Sequence, residues 1–176
     1  MTRFCSACGA PLATAPPTTC AACGHAHWAN AKPCAAALVL DDAGRVLLAR
    51  RAHAPWLDLW CAPSGFCDGP EHPIAAAERE ALEETGIKAE VTGYLGTWVD
   101  PYADEAEEAD EHVSVQYFAA RLVGDALPHL ARDEISEARW FALDAVPAEL
   151  APPRTLAAAL AALAAGPLVT PLPDRP

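Results

Sequence analysis

The chain has 176 residues, 52% hydrophobic and 20% charged, which is enough apolar material for one packed domain with a small appendage and too much for a long disordered region. Its formal net charge of −12 argues against broad affinity for a nucleic-acid backbone or an anionic membrane, since both need clustered cations. No apolar run reaches bilayer-spanning length and MTRFCSACGA lacks the apolar core of a secretory signal, so the expected compartment is the cytoplasm, where seven cysteines serve as ligands or buried thiols.

Cys5 and Cys8, then Cys20 and Cys23, form two CxxC pairs, each followed by glycine, with eleven residues between them. Four thiolates in that pattern suit a tetrahedral Zn²⁺ whose coordination sphere is closed, so the expected metal is structural. His25 and His27 follow, but four cysteines already suffice. Residues 10–19, rich in Pro and Thr, read as the loop between the knuckles. We therefore expect a zinc ribbon over residues 1–31.

The apolar run from Cys34 to Leu40 reads as a buried strand, Asp41 to Gly44 as a turn, and Arg45 to Arg50 as the returning strand of a hairpin. Cys34, Cys61 and Cys67 read as small buried residues. Trp56 and Trp60, in the loop and short strand leading to Gly65, read as core or lid packing in preference to base stacking.

From Gly65 to Ile87 the chain runs GFCDGPEHPIAAAEREALEETGI. Pro73 fits a first helical turn and Gly86 a left-handed C-terminal cap, which frames a helix from His72 to Thr85. Glu80, Glu83 and Glu84 stand at i, i+3 and i+4 and share one helical face, an arrangement that costs an isolated helix about 0.2–0.5 kcal/mol per like-charged pair. A cation relieves that repulsion, and oxygen-only ligands suit Mg²⁺ or Mn²⁺. Ile74, Ala77, Ala81 and Leu82 lie on the arc turned away from the glutamates and are expected to pack on a sheet. Arg79 is close enough to orient a carboxylate, and Glu71 is a partner for Arg79 or for the helix N-terminus.

This stretch resembles the Nudix box, the signature of hydrolases that cleave a nucleoside diphosphate linked to another group. Gly65, Glu71, Arg79, Glu80, Ala81, Glu83, Glu84, Gly86 and Ile87 meet its fixed positions, while Ser64 stands where many members carry a second glycine. The resemblance implies that Glu80 and Glu84 are the principal Mg²⁺ ligands. It makes Glu83 an additional or water-mediated one, with Arg79 orienting them and Gly65 letting the backbone approach the metal. A zinc ribbon directly upstream is similar to the arrangement in NADH pyrophosphatases, but their Ser-Gln-Pro-Trp-Pro-Phe-Pro segment is replaced here by Gly96 to Tyr102, GTWVDPY. Pro101 and Tyr102 lie near positions that ADP-ribose and dinucleotide polyphosphate hydrolases use, without matching either spacing.

Beyond the box, Val91 to Val99 and Val113 to Leu122 read as strands. Asp104 to Glu111 holds six carboxylates in eight residues and reads as a solvated loop, with a role as base or extra metal ligand as the sharper alternative. A loop from Arg132 to Glu137 precedes a strand from Ala138 to Phe141. Within it Glu134 is favoured over Glu137 as a general base, the other candidate being a metal-ligating glutamate. Leu156, Leu160 and Leu163 recur on an alanine-rich helix from Thr155 to Ala165, stopped by Gly166, that packs on the sheet or pairs with a second subunit.

The expected architecture is α/β: a mixed sheet sandwiched between helices over 32–166, preceded by the ribbon and followed by a flexible tail at 167–176. The expected activity is Mg²⁺-dependent hydrolysis of ADP-ribose, NAD(H), a related dinucleotide or a nucleotide sugar, releasing a nucleoside monophosphate. The expected partner is a small nucleotide, with a second copy of the chain as a further candidate; no membrane is expected, and the charge disfavours nucleic acid. The alternatives are a non-catalytic nucleotide sensor, which a broken acidic set would favour, and an RNA-cap hydrolase, which a basic ribbon surface would favour.

Overall fold

The computed structural model describes residues 3–104, 111–125, 130 and 133–166. Strands β1 (Thr18–Thr19) and β2 (Ala26–His27) flank the second cysteine pair and pair antiparallel as a small separate sheet. The main sheet has seven strands: β3 (Lys32–Leu40), β4 (Val46–Arg51), β5 (Trp60–Cys61), β6 (Ser64–Phe66), β7 (Ala89–Pro101), β8 (His112–Leu122) and β9 (Ile135–Phe141). Helix α1 spans Pro73–Thr85 and α2 spans Pro153–Ala164.

The sheet is mixed because β3 runs parallel to β8, in register from Lys32 opposite Val113 to Leu40 opposite Arg121, whereas β7 pairs antiparallel with β8. Side chains alternate along a strand, so β3 serves both cores. Ala35, Ala37 and Val39 join Ile74, Ala76, Ala77 and Ala81 of α1. On the opposite face, Cys34, Ala36 and Leu38 join Leu156, Ala159 and Leu163 of α2. The alanines of β3 let helix and sheet approach closely, which brings the glutamates of α1 up to the sheet edge.

The β3–β4 hairpin is closed only at Leu40 opposite Val46. Beyond that pair β4 turns to β9, and β6 takes the vacated edge of β3, with Cys34, Ala35 and Ala36 opposite Phe66, Gly65 and Ser64. Three expectations need adjustment. Leu82 is 51% exposed, so it is no part of the packed arc. Strand β9 begins at Ile135, inside the expected loop, because Ile135 is fully buried. Helix α2 starts at Pro153, and Thr155 is buried within it with its hydroxyl 3.2 Å from that of Tyr117. The expected tail at 167–176 lies outside the described residues, and among those described no helix is long and apolar enough to cross a membrane.

Candidate active site

Local signals fix the ends of α1. His72 caps it, Nδ1 accepting from the Ile74 N–H at 3.3 Å, with proline in the first turn. At the other end Gly86 takes φ 68 and donates its N–H to the Leu82 carbonyl at 2.8 Å. The helix lies under β6. The Ser64 N–H donates to Glu84 Oε2 at 3.2 Å, and a Cβ placed on Gly65 would overlap the Glu80 carboxylate. Glycine is required at 65 for close approach of a carboxylate to backbone.

Arg79 ties the acids together. Nε and Nη2 grip both oxygens of Glu71 at 2.9 Å, while Nη1 donates to Glu80 at 2.7 Å and to Glu83 at 2.8 Å. Nη2 also reaches the Phe66 carbonyl at 3.1 Å, so the five N–H groups make five bonds. The guanidinium holds the Glu71 carboxyl down to about 2. Glu80 is shifted upward, burial outweighing the Arg79 bond. Glu84, 6% exposed and not bonded to Arg79, is pushed up to about 8 by burial first and by the charge of Glu80 second, against the Ser64 N–H.

Glu80, Glu83, Glu84 and Glu134 all line one cavity of about 420 Å³. Glu134 reaches it from the residue before β9, where its carbonyl accepts from the Ala52 N–H at 3.0 Å beside a register shift at Arg50/Arg51. Its charge raises both Glu80 and Glu84. Glu137, the less favoured acid, sits on β9 opposite Arg50 and pairs with Arg139. The acidic loop contributes two described residues. Asp104 accepts from the Trp56 N–H at 2.5 Å, and Glu111 pairs with Lys32 at 2.5 Å. Residues 105–110 lie outside the described residues.

The site also includes residues that the sequence did not single out. Arg51, His53, Phe66 and Asp68 line the same cavity. Arg51 ends a strand in VLLARR, a context that reads as ordinary strand terminus. The 52–59 loop folds back over it, the Arg51 N–H donating to the Leu59 carbonyl at 3.0 Å. Trp56 is buried, edge-on to Tyr102 with centroids 5.6 Å apart, and Trp60 packs against Phe141 at 5.0 Å.

The four Sγ atoms of Cys5, Cys8, Cys20 and Cys23 lie within 4.8 Å of one another. Separations of 3.6 Å (Cys5–Cys23) and 3.7 Å (Cys8–Cys20) match the roughly 3.8 Å edge of a tetrahedron with Zn–S bonds of about 2.3 Å. Backbone N–H groups of Ala22 and Cys23 face the Cys20 sulfur and lower its thiol to about 7, whereas Cys23 is pushed up to about 12 because the His25 N–H is outweighed by the neighbouring Cys8, Cys5 and Cys20 sulfurs and by burial, so Cys20 gives up its proton before Cys23. Cys34 and Cys61 are buried and Cys67 partly so. Among the described residues no other cluster brings three such ligand atoms together, so the glutamates face one cavity without forming a closed cage. That openness suits Mg²⁺, which keeps several waters and takes one or two carboxylates.

A mixed sheet between two helices, with a carboxylate-bearing helix opening on a polar cavity, defines an α/β/α sandwich. The NUDIX domain family matches residues 31–160, and the chain belongs to that family. It is 27% identical over 151 residues to the NAD-capped RNA hydrolase NudC of Stutzerimonas stutzeri, a match covering 83% of this chain and 50% of that protein. Thus the chain spans about half the length of that relative. It is 35% identical over 133 residues to an RNA pyrophosphohydrolase of Acidiphilium cryptum, covering 66% of this chain and 78% of that one. Among solved structures, a NUDIX hydrolase from Nitrosomonas europaea superposes with a TM-score of 0.74 at 25% identity, covering 90% of this chain and 88% of that chain.

Proposed function

We propose that the chain is a divalent-metal-dependent pyrophosphohydrolase that cleaves a nucleoside diphosphate linked to another moiety, such as ADP-ribose, NAD(H), a related dinucleotide or a nucleotide sugar. The observation that carries this reading is the convergence of Glu80, Glu83, Glu84 and Glu134 on one cavity, two of them buried on the helix that Arg79 organises.

Glu80 and Glu84 are the residues that would hold Mg²⁺ or Mn²⁺, with Glu83 at the rim as a further or water-mediated ligand. When bound, the ion would neutralise the diphosphate, lower the pKa of a coordinated water and stabilise the departing phosphate. The chain's own part is orientation and proton transfer. Arg79, clamped by Glu71, fixes the Glu80 and Glu83 carboxylates, and Gly65 leaves room for the Glu80 carboxylate against β6. Glu134, across the cavity, accepts the proton of the attacking water as the P–O–P bond breaks and the nucleoside monophosphate leaves. A metal-ligating glutamate is the alternative base.

We assign 1–31 to a zinc ribbon held by Cys5, Cys8, Cys20 and Cys23, 32–166 to the catalytic domain and 167–176 to a tail. The pairing of ribbon and catalytic domain resembles the NADH pyrophosphatases without their post-box segment. Four cysteines given to zinc and three buried or partly buried thiols at Cys34, Cys61 and Cys67 fit a reducing compartment such as the cytoplasm. A second reading, cleavage at RNA ends, draws support from the names of the relatives. It also fits a ribbon segment 1–31 that carries no Asp or Glu and exposes Phe4 and Trp28. The −12 charge argues against broad affinity for a nucleic-acid backbone and leaves recognition of an RNA end open.

The test is monophosphate release from ADP-ribose, NADH, NAD, a diadenosine polyphosphate, a nucleotide sugar and an NAD-capped RNA oligonucleotide, with Mg²⁺, Mn²⁺ or chelator. Metal-dependent cleavage of one member supports the hydrolase and selects its substrate. Tight binding without turnover across the panel would instead make the chain a nucleotide sensor.

A further inference from the structure

Three acidic side chains are buried among the described residues: Glu80 and Glu84 on α1, and Asp100 near the end of β7. The first two have partners in Arg79 and the Ser64 N–H. Asp100 is 5% exposed, and its Oδ2 is enclosed without a hydrogen-bond donor. The local donor an aspartate ordinarily takes is the N–H two residues on, but that of Tyr102 is committed to the Glu111 carbonyl at 2.8 Å. Leaving such an oxygen unsatisfied destabilises a fold, so its retention calls for a reason other than packing.

Strand register shows what lies beside it. Asp100 stands opposite Val113 in the antiparallel β7–β8 pair, and Trp98, two residues earlier on the same face, stands opposite Val115. Val113 and Val115 line a second, smaller cavity of about 70 Å³, whose walls include the rings of Trp56, Phe66, Tyr102 and Tyr117. Burial first, and then the charge of Asp100, push the Tyr117 hydroxyl up, which places that charge close to a wall of the cavity. Ser64, Gly65, Phe66 and Tyr102 line both this cavity and the chamber that holds the glutamates, so the two adjoin.

These surroundings select an occupant. Aromatic walls favour a flat ring, and an unpaired buried carboxyl takes an N–H donor and repels an anion. We propose that Asp100 is a specificity residue that accepts a hydrogen bond from an N–H group on a planar heterocycle of the substrate, the amino group of a nucleobase or a ring carboxamide. The inference rests on the pyrophosphohydrolase reading for the orientation of the ligand: a diphosphate facing Glu80, Glu84 and Glu134 sets its organic substituent at the shared wall. It deepens that reading by naming the group that one residue selects. An aspartate that served only the fold would leave ligand preference unchanged on substitution.

The experiment uses the full chain as wild type, Asp100→Leu and Asp100→Asn, and measures Tm together with Kd by calorimetry in the presence of Mg²⁺. Two matched pairs of ligands are compared: ADP with its derivative in which methyl groups replace both amino hydrogens, and nicotinamide mononucleotide with nicotinic acid mononucleotide. The second member of each pair lacks the N–H donor. One charged hydrogen bond corresponds to roughly a 10- to 100-fold change in affinity. Wild type is therefore expected to prefer the first member of one pair by at least about tenfold, and the pair that shows it tells nucleobase from carboxamide. Asp100→Leu should bring that preference to within about twofold while melting at or above wild type, because it removes an unpaired buried carboxyl. Wild type that binds none of the four ligands, or both members of each pair equally, overturns the proposal. So does a preference unchanged in folded Asp100→Leu, whatever its Tm. Where Asp100→Leu does not fold, Asp100→Asn decides: a reduced preference at a wild-type Tm supports the role, and an unchanged one overturns it. Failure of the hydrolase reading shows separately, as absent monophosphate release from a chain that still discriminates in binding.

Discussion

At the scale of single residues, the site is a contrast between two carboxyls on one chain segment. Glu71, held by Arg79, has a folded pKa of about 2, below the ordinary 4.5, so its stabilising contribution is present above about pH 4.5 and is lost as pH falls toward 2. Glu84 has the opposite sign. Raised to about 8, it favours the folded state fully below about pH 4.5 and loses that contribution as pH rises through 8. The Tm of metal-free wild type should therefore fall between about pH 4.5 and 8, and Glu84→Gln or saturating Mg²⁺ should flatten that slope. A scan in which Glu84→Gln keeps the wild-type slope would refute the assignment. Gly65→Ala drives a methyl into the Glu80 carboxylate. A displacement of about 1 Å can cost a hundredfold in rate, so kcat should fall by about that factor while circular dichroism stays native. Glycine at 65 and the three helical glutamates were legible because their spacing is local. Arg51 was not, since its place depends on a register shift and a returning loop that no local pattern encodes.

At the scale of elements, α1 was readable from its punctuation: Pro73 after a capping His72, then Gly86 in the left-handed region. The arc it buries differs from the expected one at three positions, Glu80, Leu82 and Glu84. The sequence reading turned all three glutamates away from the packed arc. In the structure, Glu80 and Glu84 sit at the sheet edge and Leu82 turns outward. Ala81→Leu, overpacking a fully buried position, should destabilise by about 1–3 kcal/mol in urea unfolding, whereas Leu82→Lys should stay within about 0.5 kcal/mol. Equal losses would mean that the helix is rotated from the orientation described. Strand β9 was shortened in the sequence reading because Asp133, Glu134, Ser136 and Glu137 surround Ile135 and mask it. Burial of that one isoleucine extends the strand and sets Glu134 just ahead of it.

For the molecule as a whole, the proposed zinc ribbon and the sandwich should respond separately to loss of metal. The ribbon sheet consists of two residue pairs, far too little to fold unaided, whereas the sandwich has a core on each face of its sheet. A zinc-selective chelator should release one Zn²⁺ and expose the thiols of Cys5, Cys8, Cys20 and Cys23 to titration while the main unfolding transition persists. Loss of that transition would show that the two units fold as one. If the buried acids of α1 hold the ion that hydrolysis needs, losing the charge of one of them removes both the metal and turnover. This is read most directly from kcat/KM of Glu84→Gln against wild type on the preferred substrate at saturating Mg²⁺, with Mn²⁺ binding followed in parallel. The expected result is a loss of about 10³-fold, equivalent to about 4 kcal/mol of transition-state stabilisation, together with weakened Mn²⁺ binding. Turnover within a few-fold of wild type would contradict it.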